Sequence, residues 1–421
     1  MLVSSDNLTD NKKRTQLVRG FIFACGESTE AECLNRKLFG TDRTYGPVVI
    51  RIRKGDLLFL NNLDTDVLHG VFRAATDGGF NIDPKAWKGR YTYQVRVESL
   101  GNKIALNNST RILRRFGVTR NTPLHGERLA AFLDFFLEMP SLVDSVANSE
   151  ASKSHRLILE EKERIENWNG EIDIDEEIPM IEATTFWDFP RQSYGSTPKG
   201  DNKYAGVTPA LIIYNLVWRY TDPDDLVVDP MCGSGTTIDV CKEEGRRAIG
   251  YDITPVRSDI IQNDARNIPL ANDSVDMVFI DSPYGDNLRY SDHPDNIGNI
   301  SSESEEFYDE LEKVMSESYR ILKEGKTLGW LIGDQWVKQR FTPVGFMIYN
   351  RLCKYFEPVD MICVSRRGQS SHTGPWFNRA RRFNFYLRGF KYLIIVKKSS
   401  GKPQSQKARK IDWAYYQRGR L

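Results

Sequence analysis

The sequence predicts two folded regions: an N-terminal compact barrel or mixed sheet and a larger α/β region built on a doubly wound sheet. Three observations carry this. Short β-like runs separated by Gly, Asp and Asn fill the stretch from Arg19 to about Asp144. From about Thr184, strands alternate with amphipathic helices. A Gly-rich turn, Gly233-Ser234-Gly235, joins the first strong strand of that second region to its helix.

In the first region the β-like runs are Phe21–Ala24, Val48–Ile52, Leu57–Leu60, Leu68–Ala74 and Tyr91–Val97. His69, inside an apolar run, reads as a core histidine, and Trp87 as a core anchor. Residues 145–183 form a charged connector, helical over Ser145–Asn169, with acid–isoleucine alternation at Glu171–Asp175 that suits a short strand. Domain limits of 1–144, 145–183, 184–398 and a basic tail at 399–421 follow.

In the second region Ala210–Tyr220 reads as an amphipathic helix and Leu226–Val228 as a strand. After the glycine turn comes a helix through Glu244, then strands at Ala248–Tyr251 and Val275–Ile280. Phe307–Leu322 is helical, Thr327–Ile332 a strand, Phe346–Tyr355 helical, and Met361–Val364 and Tyr392–Val396 close the series.

Composition excludes several classes. Of 421 residues, 40% are hydrophobic and 27% charged, as in a water-soluble globular chain. No apolar run approaches the ~18–20 residues that span a bilayer, and the first residues lack a signal-peptide core, so a cytoplasmic location without membrane partners is the default. The six cysteines form no Cys-x-x-Cys pair and the five histidines do not cluster with them, which argues against a metal site or a disulfide framework. Net charge is +1, yet Met361–Leu421 holds fifteen Lys or Arg against the single acid Asp412. That asymmetry points to a polyanion. Oligomeric state is not legible.

The run Val227-Val228-Asp229-Pro230-Met231-Cys232-Gly233-Ser234-Gly235-Thr236-Thr237 lets the backbone turn tightly and brings a ligand against main-chain N–H groups. It completes neither the Gly-x-Gly-x-x-Gly dinucleotide pattern nor a Walker lysine. About twenty residues on, Asp252 ends the next strand, where an acid grips ribose hydroxyls, and Asp264 follows a third position. Three acids at successive strand ends suit a ligand with an ammonium group, a ribose and an adenine amine. S-adenosyl-L-methionine carries all three.

Asp-Pro-x-x-Gly-Ser-Gly-Thr-Thr followed by Asp281-Ser282-Pro283-Tyr284 resembles the nucleic-acid amino-methyltransferases, the N4-cytosine and N6-adenine enzymes, over about Thr184–Lys398. The resemblance implies a Rossmann-like S-adenosylmethionine-dependent sheet. It implies cofactor contacts at Thr208, Asp229, Pro230, Cys232, Gly233, Gly235, Asp252 and Asp264, and catalysis by Asp281, Ser282, Pro283 and Tyr284 without a metal.

The chemistry fits those residue types. An exocyclic amine is a poor nucleophile because its lone pair is delocalised into the ring. Asp281 and the Ser282 carbonyl can accept its N–H bonds, Pro283 stiffens the turn, and Tyr284 can stack on an extruded base. Ser282 stands where the family usually has a first proline, which leaves cytosine N4 and adenine N6 both open. Methylation at cytosine C5 needs a cysteine nucleophile that this element lacks.

About fifty residues separate Asp229 from Asp281, too few for an inserted recognition domain. Substrate contacts are therefore expected at Arg366, Arg367, Trp376, Arg379, Arg381 and Arg382, where basic and aromatic residues interleave. DNA is the favoured partner, with ribosomal or transfer RNA as the alternative and a non-catalytic nucleic-acid-binding scaffold as a third reading.

In the first region, Gly20-Phe21-Ile22-Phe23, Leu38-Phe39-Gly40, Leu58-Phe59-Leu60-Asn61, Leu68-His69-Gly70-Val71-Phe72 and Asn81-Ile82-Asp83-Pro84-Lys85-Ala86-Trp87 resemble the DCD (development and cell death) domain over about Arg19–Phe116. The resemblance implies an α+β PUA-like barrel and a nucleic-acid-binding module.

Overall fold

The computed structural model describes residues 17–138, 148–168, 178–204, 206–286, 288, 290–337, 339–366 and 373–399. The expected strand at Glu171–Asp175, Arg367, and nearly all of the 399–421 tail lie outside the described residues. Two compact units divide at Met180/Ile181.

The N-terminal unit winds one sheet into a nearly closed barrel. Its strands are β1 (Gly20–Cys25), β2 (Leu38–Thr41), β3 (Leu57–Asn62), β4 (Val67–Ala74), β5 (Gly79–Phe80) and β6 (Tyr93–Asn107), in the order β1-β3-β4-β6-β2 with β5 on β6. The long β6 makes the turn possible: it pairs with β2 over Tyr93–Arg96 and with β4 over Val97–Asn107. Helices α1 (Glu27–Arg36), α2 (Gly46–Val49) and α3 (Ser109–Arg115) fill the connections, and α4 (Gly126–Glu138) covers one side.

The expected strand at Val48–Ile52 is instead the helical turn α2 and its continuation. Pro47 at the first turn fixes a helical φ and needs no donor there, and this overrides the β-branched preference of Val48 and Val49. The charged connector is helical, as α5 (Asn148–Glu166), but it packs on α4 and β6 within this unit. Ile158 and Ile165 give it an apolar side that the charge count conceals.

Phe59, Phe132 and Phe136 form the centre of the barrel core, with ring centroids 4.9, 5.3 and 5.9 Å apart. Such pairs add roughly 0.5–1.5 kcal/mol each beyond area burial. Trp87 is buried against Gly40, where any Cβ would lie 2.6 Å from its ring. His69 is buried, its Nε2 3.2 Å from a Glu30 carboxylate oxygen. A cleft of about 930 Å³, counting its open mouth, is lined by Phe23, Tyr45, Trp87, Tyr91 and Arg120 along with Cys25 and Cys33.

The C-terminal unit holds the sheet β10-β9-β8-β11-β12-β16-β15-β7. Its strands are β7 (Phe186–Trp187), β8 (Leu226–Asp229), β9 (Arg247–Asp252), β10 (Ile260–Gln262), β11 (Val275–Asp281), β12 (Leu322–Ile332), β15 (Glu357–Ser365) and β16 (Phe390–Lys397). β10 to β12 run parallel; β16 enters antiparallel to β12 and β15. A separate hairpin joins β13 (Gln335–Val337) to β14 (Arg340–Thr342).

Helices α6 (Ala210–Tyr220) and α7 (Thr236–Glu243) pack together on one face. Helices α8 (Glu305–Ile321) and α9 (Val344–Leu352) cover the other, and α10 (Gly374–Arg382) precedes β16. Because both faces are covered, the central strands are mostly apolar and Val275 to Ile280 are buried at every position, the one acid among them, Asp276, being paired with Lys323 and Lys326. Close packing fixes the small residue at Gly329, where a Cβ would lie 2.8 Å from Leu216. This is the Rossmann-like, doubly wound sheet that the sequence predicts.

Candidate active site

Parallel strands place all their C-terminal ends at one edge, and the strand order reverses between β8 and β11. Ligands of open α/β sheets bind at that switch point. Here β8 ends in Asp229, β9 in Asp252 and β11 in Asp281. A cleft of about 1040 Å³, counting its open mouth, is lined by all three. Thr208, Pro230, Cys232, Gly233, Asp264 and Pro283 line it as well.

Asp229 is buried. It accepts hydrogen bonds from the Thr237 hydroxyl at 2.5 Å and the Met231 N–H at 3.1 Å. Burial pushes its pKa up to about 7, with a smaller push from the Asp252 and Asp281 carboxylates. Asp252 accepts from the N–H groups of Gly233 and Thr254, each at 2.9 Å. It therefore braces the glycine turn from the neighbouring strand; burial raises its pKa, opposed by those two bonds.

Gly233 has φ +51°, and a Cβ there would meet the Tyr204 ring at 3.1 Å. Gly235, expected as a cofactor contact, does not line the cleft. Its φ of +86° starts α7, and a Cβ would strike the Arg257 guanidinium at 2.4 Å. Arg257 occupies that space to clamp Asp239 and Asp259.

Asp264 lines the cleft, but Arg266 holds its carboxylate through Nε and Nη2 and through its own backbone N–H. Burial alone would raise the Asp264 pKa; Arg266 outweighs it and lowers it.

Among the described residues, three side chains contact the Asp281 carboxylate. The Thr208 hydroxyl donates to Oδ2 at 2.7 Å, the Tyr284 hydroxyl to Oδ1 at 3.0 Å, and Lys391 Nζ lies 3.4 Å from Oδ2. An ionised carboxylate has about four lone-pair sites, so one remains for a further donor. Thr208 is positioned by Gln192, whose side-chain amide donates to the Thr208 carbonyl, and by the backbone bond from the Ala210 N–H to the Gln192 carbonyl.

Ser282 is buried, its hydroxyl accepting from the Trp330 indole at 3.0 Å, so its side chain anchors the turn to the core. Tyr284 does not line the cleft; its hydroxyl is spent on Asp281 and its ring packs beside Gly333 and under Lys391.

Sequence reasoning did not single out Tyr204, Tyr290 or Lys391. The two tyrosines stack at 6.4 Å and 28° and both line the cleft. Both lie in segments flanking the motifs. Lys391 sits one residue before Tyr392 and carries no sequence signal at all.

The basic-aromatic surface is in part a helix that the sequence reading did not assign. Trp376, Arg379, Arg381 and Arg382 are exposed on α10, and the Arg379 guanidinium lies 5.2 Å from the Trp376 ring. Arg366 follows β15 and donates its backbone N–H to Gly389.

Comparison with known proteins gives two matches along the chain. A family model described as "DNA methylase", for N6 and N4 enzymes, matches residues 149–263 and 275–418, more than half of the sequence. A model of the "Development and cell death domain" matches residues 19–111. Among curated proteins, the DCD domain-containing protein NRP-B of Glycine max is 43% identical over 96 residues, 21% of this chain and 29% of its own. The B2 protein of Daucus carota is 46% identical over 91 residues, 20% of this chain and 44% of its own. The chain thus spans less than half the length of either.

Solved structures resembling it include TrmN from Thermus thermophilus, 15% identical with a TM-score of 0.30, covering 45% of this chain and 48% of that one. Geranyl diphosphate C-methyltransferase from Streptomyces coelicolor A3(2) is 17% identical with a TM-score of 0.31, covering 45% and 78%.

Proposed function

The chain belongs to the N6/N4 DNA methylase family, and from that premise we propose that it methylates an exocyclic amino group of a nucleic-acid base, DNA first, at cytosine N4 or adenine N6. The observation that supports this reading is the wall of the cleft at Asp281. One carboxylate, held by Thr208, Tyr284 and Lys391, stands in the same cleft as Asp229 and the Gly233 turn.

S-adenosylmethionine, when bound, supplies an electrophilic methyl group on a sulfonium. The chain's residues fit such a molecule. Asp229 is held near neutrality without a cation, so it gains from a positive group placed beside it. Asp252 and Gly233 form the adjoining rim, and Tyr204 and Tyr290 offer aromatic faces along the cleft wall.

Asp281 keeps a site to accept an N–H of the base amine, which localises the nitrogen lone pair and aims it. Lys391 Nζ lies 3.4 Å from that carboxylate on the side of Oδ2. Pro283 and the Ser282–Trp330 bond hold the turn fixed, so no reorganisation is needed when the amine arrives. After transfer the amine carries one proton too many, and Asp281 is the group placed to take it.

Arg366, Arg367, Trp376, Arg379, Arg381 and Arg382 are assigned to the strand that carries the base, with Arg367 outside the described residues. The DCD domain is assigned a second nucleic-acid-binding role. The direct test supplies methyl-labelled cofactor with DNA and RNA in parallel, followed by nucleoside analysis. Label in N4-methylcytosine or N6-methyladenine of DNA is expected. Label confined to RNA would move the assignment to an RNA enzyme, and no label with intact cofactor binding would leave a scaffold.

A further inference from the structure

Exposed aromatic side chains cluster strongly in this molecule. Of the nine large aromatic side chains exposed among the described residues, eight fall between Trp336 and Phe390. Exposed apolar side chains gathered in one stretch of a chain point to an interaction surface.

The patch is tied to the active site by direct bonds. Gln335, which opens the β13–β14 hairpin, donates its side-chain amide to the Tyr284 carbonyl. The next residue, Trp336, stacks on Phe385 at 5.7 Å and 16°. Phe385 in turn donates its N–H to Ala380 of α10 at 3.0 Å. On the second path, Phe390 precedes Lys391, the lysine beside Asp281. A wall of rings therefore runs from the Asp281 turn to α10 without leaving this unit.

The rings are interleaved with cations. The Arg388 guanidinium lies 5.3 Å from the Phe341 ring, and that of Arg382 lies 5.5 Å from Phe383. Tyr386 is 84% exposed. From Arg366 to Lys398 the sequence contains no acid.

We propose that this wall is a stacking platform for an unpaired stretch of the DNA strand that carries the target base, so the preferred substrate is single-stranded rather than duplex. The physical reason is geometric. A duplex buries its base faces and presents edges and phosphates, whereas exposed rings can only be used by bases already unstacked. Arginines beside the rings supply the phosphate attraction. Continuity with the Asp281 turn makes the occupant the strand being modified rather than a separate protein.

The proposal rests on the methyltransferase reading and is tested apart from it. Full-length protein is titrated by fluorescence anisotropy with a fluorescein-labelled oligodeoxynucleotide as single strand, as duplex, and as its RNA counterpart. The single DNA strand is expected to bind tightest. Tyr386→Ala and Phe341→Ala, both at exposed positions, should each weaken it by roughly tenfold, the size of one lost base stack. S-adenosylmethionine affinity and the thermal midpoint should not move. Equal or tighter duplex binding, tighter RNA binding, or no change in both variants overturns the platform. Methyl transfer to duplex DNA with both variants silent would sink the platform and keep the enzyme. Variant-sensitive strand binding with no transfer to any base would keep the platform and sink the enzyme.

Discussion

The two units enclose clefts of similar size, about 1040 Å³ in the C-terminal unit and about 930 Å³ in the N-terminal one, yet they collect opposite chemistry. In the C-terminal unit parallel strands deliver their last residues to one edge, and three of those residues are carboxylates. The barrel strands of the other unit run mostly antiparallel and deliver no such row. Its cleft gathers rings and two thiols, Cys25 and Cys33, whose pKa values burial pushes up to about 12. Burial in the first cleft brings Asp229 to about 7, where it can respond to a ligand; in the second it silences the thiols. The lesson is that cleft volume does not separate the two. Burial moves the titratable groups upward in both; what differs is where the raised value falls, near neutral pH for Asp229 and far above it for the thiols.

The sharpest way to break this contrast is Asp281→Ala. Methyl transfer should fall by about 10²–10³-fold, the cost of removing one preorganised hydrogen-bonding group, with cofactor affinity retained by titration calorimetry. Trp87→Ala in the other cleft should leave the chemical step per bound substrate unchanged. A comparable loss there would erase the distinction between the two sites.

Stability offers the next test. Phe59→Ala in the barrel core and Phe279→Ala in the sheet core should each cost about 3–5 kcal/mol. By differential scanning calorimetry each should depress the transition of its own unit. A single transition lowered alike by both would show that the units do not unfold separately.

The third test uses pH. Asp229 has a folded pKa of about 7 against the ordinary 3.8, so the neutral form is the one the fold favours. Its contribution to stability is complete below about pH 4 and is lost as pH rises through about 7. Thermal midpoints of the ligand-free protein should fall over that window, and Asp229→Asn should flatten the slope. If a cationic ligand needs the ionised form, its affinity should climb about tenfold per pH unit below 7 and then level. An affinity flat from pH 5 to pH 8 would remove Asp229 from the site.

The smallest effect is expected at the surface. Arg379→Ala and Arg381→Ala should weaken nucleic-acid binding a few-fold and each reduce the salt slope by about one. Unchanged slopes would take α10 out of the interface.

Much of the site is legible in the sequence because it is local. Asp229, Asp252 and Asp281 each close an apolar run, and such a run followed by an acid and a glycine or proline reads as a strand entering a loop. What stays hidden is who touches whom. Nothing near Asp264 predicts that it is given over to Arg266 and Glu310's network. Nothing in Gly235 predicts that the space it leaves serves Arg257 rather than a ligand. At Val48–Ile52 the β-branched pattern pointed to a strand, and one proline at the first turn decided otherwise.

The residues alone therefore determined the long strands of the C-terminal sheet, the glycine turn and the identity of the acids, since each depends on neighbours a few positions away. The tertiary structure alone decided that Thr208, 73 residues before Asp281, and Lys391, 110 residues after it, would share one carboxylate. The Lys391 contact arises because β16 inserts antiparallel beside β12, and β12 lies beside β11. Pairing across a sheet is set by packing over the whole unit, and no local run of side chains encodes it.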